Sequence, residues 1–155
     1  MLKAKDIMAR EIIVISPEAK TLDAARILLE KRINGLPVVD ANGRLVGIIC
    51  QSDLVAQQKR LSLPSFFNLL DGLIPLASAK NWEQEIQRIS ANTVAQAMTA
   101  DPVTVSPNTS LDEIASLMVD RKLHTLPVVE NEKLVGVVGK EDILRTLLNL
   151  NTLDR

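Results

Sequence analysis

Apolar positions along the first third of the chain change period several times. Ile12, Ile13, Val14 and Ile15 form a short β-branched run closed by Ser16-Pro17. Proline biases the residue before it toward extended geometry, so the run predicts a strand that exits at Ser16. Over residues 21–33 the apolar positions Ala24, Ala25, Leu28, Leu29 and Ile33 recur at spacings of three and four, which predicts a helix with one buried stripe. Residues 36–39 and 45–49 then predict two strands joined through Asn42-Gly43, because asparagine and glycine both tolerate positive φ. Pro37 sits near the start of its strand, where a missing N–H is tolerated. A helix opening near Ser52 and running through Leu54 and Val55 closes the series.

The same series returns near the C-terminal end. Ile15-Ser16-Pro17 recurs as Val105-Ser106-Pro107, and Leu36-Pro37-Val38-Val39-Asp40 as Leu126-Pro127-Val128-Val129-Glu130. Met8 and Met98 share that spacing, and Leu111, Ile114, Ala115, Met118 and Val119 repeat the helical stripe. After the turn, which is one residue shorter in the second copy, Leu45-Val46-Gly47 matches Leu134-Val135-Gly136 and Asp53 matches Asp142. A length change confined to a turn, with both flanks in phase, marks two copies of one fold. The expected organisation is a first repeat over residues 1–60, a helical insert over 61–90, a second repeat over 91–150 and a tail over 151–155. Each repeat is short for an independent core, so the two are expected to pack on each other about a pseudo-two-fold axis. In the insert, Pro64, Gly72 and Pro75 break an apolar stretch into short helical pieces, and Asn81 with Gln84 predicts a capped helix from Trp82 to about Ser90.

Composition narrows the function classes. The chain has 155 residues, 46% of them hydrophobic, but its aromatics are confined to Phe66, Phe67 and Trp82, so the core must be aliphatic. A formal charge of -1 supplies no broad positive field for nucleic acid, and Lys59-Arg60 is too small a basic patch to change that. No uninterrupted apolar stretch approaches a membrane span, and Asp71 divides the most apolar part of the insert, so no membrane insertion is expected. His124 and Cys50 are each the sole residue of their type, too few for a nucleophilic dyad or a usual transition-metal site. No catalytic residue, metal or required cofactor is expected, and the lone thiol with a charged N-terminus suits the cytoplasm.

With these residues in view, the chain resembles the cystathionine-beta-synthase (CBS) domain family, and its two units resemble the tandem arrangement called a Bateman module. The resemblance rests on the Ser-Pro after the first strand, the helix, the Leu-Pro-Val-Val strand, the Leu-Val-Gly strand and the closing aspartate, all in one order twice. It implies an α/β (α+β) fold of tandem β-α-β-β-α repeats with a helical insert between them. It also implies a non-catalytic regulatory sensor of AMP, ADP, ATP or S-adenosylmethionine, working as a homodimer and acting on a regulated protein partner. Leu69-Leu70-Asp71-Gly72-Leu73-Ile74 offers an apolar surface for such pairing.

Carried over by position, the resemblance implies that Asp53 and Asp142 accept hydrogen bonds from ribose hydroxyls. The opposing wall would be Val14 with Gly35, Leu36 and Pro37 in one copy, and Thr104 with Thr125, Leu126 and Pro127 in the other. The hydroxyl that faces phosphate in the family pattern is replaced by Cys50 and Gly139. A carboxylate suits a diol but does nothing for a phosphate, which needs N–H donors, hydroxyls or cations. Lys140, next to Gly139, makes the second copy the better phosphate candidate. The bland reading of both aspartates is a first-turn helix carboxylate, with Ser52 as the cap of its helix. Residues 93–147 hold eight acids against five bases, so a phosphate entering there is expected to meet an acidic field.

Overall fold

The computed structural model describes residues 1–60 and 92–153; the expectations for the insert fall outside them. Helix α1 (Ala4–Ile7) leads through extended chain to α2 (Thr21–Glu30), strands β1 (Gly35–Val39) and β2 (Leu45–Cys50), and α3 (Gln51–Arg60). The second series is α4 (Val94–Ala97), β3 (Thr99–Ala100), α5 (Leu111–Asp120), β4 (Thr125–Glu130), β5 (Lys133–Gly139) and α6 (Lys140–Leu153). The sheets are small and antiparallel, ordered β1-β2-β3 and β4-β5. The expected first strands shrink to single parallel bridges, Ile15 to Val38 and Val105 to Val128.

Helix α2 stops at Glu30 rather than Ile33, because Arg32 turns left-handed at φ 53° and Ile33 N–H folds back to Leu28 O at 3.1 Å. This is the Schellman closure, in which the apolar residue past the turn packs back on the helix. Lys122, at φ 54°, and the 2.9 Å bond from Leu123 N–H to Met118 O repeat it after α5.

The one-residue difference between the hairpins has a structural reason. In the first, only Gly43 takes positive φ, and Asp40 Oδ1 accepts from Asn42 N–H (2.9 Å) and Arg44 N–H (3.0 Å). In the second, Asn131 (φ 51°) and Glu132 (φ 65°) are both left-handed, the signature of the tight two-residue turn expected at Asn42-Gly43.

Each repeat borrows its first helix from the other. Ala4 of α1 is buried in the core of the second repeat with Ile114, Leu126, Val128 and Val138, and Val94 of α4 is buried in that of the first with Leu28, Leu36, Val38 and Ile49. Backbone bonds fix both exchanges: Ala4 N–H to Thr109 O and Val94 N–H to Ala19 O, each 2.8 Å. Beyond α1, Ala9 pairs with Val137 of β5, while β3 pairs with Gly47 and Ile48 of β2. Met8 lies against Gly136 and Met98 against Gly47, where a Cβ would stand 2.5 Å from Met98 Sδ. The two glycines are therefore the holes into which the two methionines fit.

Candidate functional site

The exchange carries residues 11–13 directly from the Ala9–Val137 pairing into a cleft of about 260 Å³ between the repeats. Ile12 and Ile13 give it apolar surface, and Pro37 borders it while being itself fully buried. Lys31 and Arg32, delivered by the end of α2, stand with Asn34 and Gly35 on the first-repeat side, and Thr125 with residues 139–142 and Arg145 on the other. The site is thus assembled from both repeats, and the acidity of the second is offset by Lys31 and Arg32 from the first.

Asp142 lies in the first turn of α6. Its Oδ2 accepts from Gly139 N–H at 2.7 Å, and its Oδ1 accepts from Arg145 Nη1 at 3.3 Å. Arg145 is 68% exposed and also pairs with Glu141 at 3.6 Å, whereas the Asp142 side chain is only 17% exposed. Asp53 makes the equivalent bond, Cys50 N–H to Oδ2 at 2.8 Å, but its Oδ1 accepts from the Thr99 hydroxyl of β3 at 3.3 Å. Each aspartate thereby satisfies the amide just before its helix, half of a capping box. Ser52 is one residue inside the helix start, so the cap assigned to it belongs to Asp53. A side chain at Gly139 would meet nothing closer than Asp142 Oδ2 at 3.7 Å, so the missing hydroxyl is not excluded by crowding.

Of the residues singled out by sequence, Gly35, Pro37, Thr125, Lys140 and Asp142 line this cleft together. Val14 is 40% exposed outside it, Leu36 and Leu126 are fully buried in the two cores, and Pro127 is buried with them. Thr104 lines a shallower hollow with Arg44, Asp101 and Glu132, and Asp53 lines neither space. Gly35 makes its close approach to protein: a Cβ there would stand 2.9 Å from both Cβ and Oγ1 of Thr125, its own counterpart across the pseudo-dyad. Sequence reasoning missed Ile12, Ile13, Lys31, Arg32 and Arg145. Arg145, three residues beyond Asp142 on a helix, was findable by spacing.

Burial, and after it the Asp53 carboxylate, push the Cys50 thiol up to about 11, which makes it inert. Among the described residues no helix is long and apolar enough to cross a membrane, and no group of three His, Cys, Asp or Glu is placed to hold a metal ion.

An uncharacterized protein of Methanocaldococcus jannaschii is 31% identical over 154 residues, spanning 93% of this chain and 90% of its own. The chloroplastic CBS domain-containing protein CBSX2 of Arabidopsis thaliana is also 31% identical, but only 59% of its length is covered. The solved structure of CBSX2 in complex with AMP superposes with a TM-score of 0.73 at 27% identity, covering 97% of this chain and 99% of that one. The CBS domain pair of MJ0100, solved with 5'-methylthioadenosine and S-adenosyl-L-methionine, gives 0.70 at 28%, covering 97% and 98%. The CBS domain family itself matches twice, at residues 4–59 and 94–149, so the chain belongs to that family as a tandem pair.

Proposed function

We propose that the chain is a regulatory module, without chemistry of its own, that senses an adenosine-containing ligand (AMP, ADP, ATP or S-adenosylmethionine) in the cleft between its repeats. The observation that carries this reading is Asp142. Its largely buried carboxylate lines a cleft that has both apolar and cationic walls, and Oδ1 is engaged by the exposed Arg145. A diol fits that oxygen, an adenine fits the isoleucine wall, and the surrounding cations suit phosphate or a carboxylate tail. The AMP and S-adenosyl-L-methionine complexes of the two similar pairs support the same ligand class.

Thermal denaturation with each ligand tests it. A ligand at a hundred times its Kd adds about 2.7 kcal/mol to the folded state. For a chain of this size that raises the Tm by roughly 5–10 °C. Asp142→Asn keeps an acceptor for Gly139 N–H while removing the charge, and is expected to shrink the rise. If no adenosine compound shifts the Tm, the ligand-sensing reading falls.

The competing reading, an interaction module with vestigial clefts, draws on the hydroxyls lost at Cys50 and Gly139, and the same screen separates the two. For either, we place the homodimer contact on α5 and α6, where Val119 (76% exposed) of α5 and Leu144 (57%), Leu147 (56%) and Leu148 (67%) of α6 are large exposed apolar side chains. Spacing of three and four along α6 gives that helix the stripe by which a second copy of the helix packs. A regulated protein partner and a cytoplasmic setting complete the proposal.

A further inference from the structure

We propose that the two repeats divide their roles: among the described residues the Asp142 cleft is the site for a phosphorylated ligand, and Asp53 is a positioning residue that ties the exchanged strand β3 to helix α3. The inference rests on the adenosine-ligand reading and adds which repeat binds and what the other aspartate does.

The repeat itself supplies the comparison, because every residue lining the Asp142 cleft has a counterpart one repeat away. Lys140 corresponds to Gln51, Glu141 to Ser52 and Arg145 to Ala56, so both cations on the ligand-facing helix are lost at Asp53. Lys31 and Arg32 keep charged counterparts in Arg121 and Lys122, which leaves four cations around Asp142 and two at the equivalent positions. The lost pair are the ones that compensate for glycine at 139, where the family pattern has a hydroxyl; Cys50 has no such neighbours.

The aspartates also differ in what holds Oδ1. At Asp53 it is the Thr99 hydroxyl, on a strand bonded to β2. The counterpart of Thr99 is Ala9, which has no hydroxyl, so Asp142 Oδ1 meets only the solvent-facing Arg145. A ligand phosphate gives that guanidinium a new partner as the ribose takes its place on Asp142, whereas a neutral nucleoside offers it none and leaves it on Glu141.

Calorimetric titration of the full chain with AMP and with adenosine tests this. The expected result is one AMP per chain, bound at least tenfold more tightly than adenosine. Arg145→Gln should cut AMP affinity about tenfold and leave adenosine within twofold. Thr99→Val, which breaks the tie without touching the carboxylate, and Asp53→Asn should lower the Tm yet leave AMP affinity within twofold. Two equivalent AMP sites per chain, a tenfold loss on Thr99→Val, or equal losses of AMP and adenosine on Arg145→Gln would overturn the division while leaving ligand sensing intact. Failure of both AMP and adenosine to bind the wild type overturns it together with the reading it rests on.

Discussion

Gly47 and Gly136 occupy equivalent places, yet alanine should be tolerated very differently at the two. At Gly136 the three atoms nearest a new Cβ all belong to the Met8 side chain, with Cγ at 2.8 Å and Cβ at 3.1 Å. A half-buried, unbranched methionine can swing aside. At Gly47 the new methyl meets Met98 Sδ at 2.5 Å and also the backbone oxygen of Thr99 at 2.9 Å, which moves only if the two-residue β2–β3 pairing gives way. Overpacking costs about 1–3 kcal/mol, and removing a glycine from the unfolded chain returns about 0.4–1 kcal/mol. Gly136→Ala should therefore fall within about 1 kcal/mol of wild type, and Gly47→Ala should lose about 2 kcal/mol, or roughly 4–8 °C in Tm. Urea unfolding of both variants, and of each combined with Met8→Ala or Met98→Ala, measures the couplings. Met8→Ala should remove nearly all of any Gly136→Ala penalty, and Met98→Ala only part of the Gly47→Ala penalty. If Gly136→Ala costs as much as Gly47→Ala, or Met98→Ala cancels the Gly47→Ala loss, the obstruction does not lie in the backbone of β3.

Four further outcomes follow from the structure. With its thiol pushed up to about 11, Cys50 should react with iodoacetamide at pH 8 about a hundredfold more slowly than free cysteine, and a rate near the free value would refute its burial. Because that folded pKa lies above the ordinary 9.0, the folded state holds its proton longer, so stability is intact below pH 9 and declines as pH rises toward 11, measurable as Tm against pH. Leu144→Glu with Leu147→Glu should weaken self-association at least about a hundredfold in sedimentation equilibrium while the circular dichroism stays unchanged; a wild-type monomer at high micromolar concentration would remove the dimer. Residues 1–60 and 91–155 expressed apart should each show poor amide dispersion, since each lacks the helix it borrows, and two well-folded halves would contradict the exchange.

The repeat, both hairpins and the main helices were legible because each is written in local periodicity. Their ends were less so: Arg32 and Lys122 carry no glycine signature, and the left-handed turn is imposed by Ile33 and Leu123 packing back. What could not be read was the exchange. Helices α1 and α4 have only four residues each, too few to show a period, and their stabilisation comes from Ala4 and Val94 buried in the other repeat. Met8 and Met98 stood out as a matched pair, but nothing local says that each faces a glycine of the opposite copy. The make-up of the Asp142 cleft was hidden for the same reason. Assigning walls repeat by repeat grouped Thr104 and Pro127 with Asp142, whereas the pseudo-dyad brings Gly35 and Pro37 there, along with the isoleucines that the exchanged segment leads into.

That assembly gives ligand binding a mechanical consequence. Residues 11–13 continue directly from the Ala9–Val137 pairing, whose two bonds are 2.9 and 3.1 Å, and Ile12 and Ile13 among them line the cleft together with Asp142. A ligand spanning the cleft must touch the exchanged segment of the first repeat and the helix α6 of the second at once. It therefore stabilises the state in which the repeats are interlocked over any state in which they have parted. Linkage makes the effect reciprocal, because whatever factor the interlock contributes to ligand affinity, the ligand returns to the interlock. The exposed leucines Leu144, Leu147 and Leu148 lie on the same helix as Asp142 and Arg145, within two turns of them. A shift of α6 that accommodates Arg145 leaving Asp142 would move Leu147 and Leu148 with it, which would carry an event in the cleft to the dimer face proposed above.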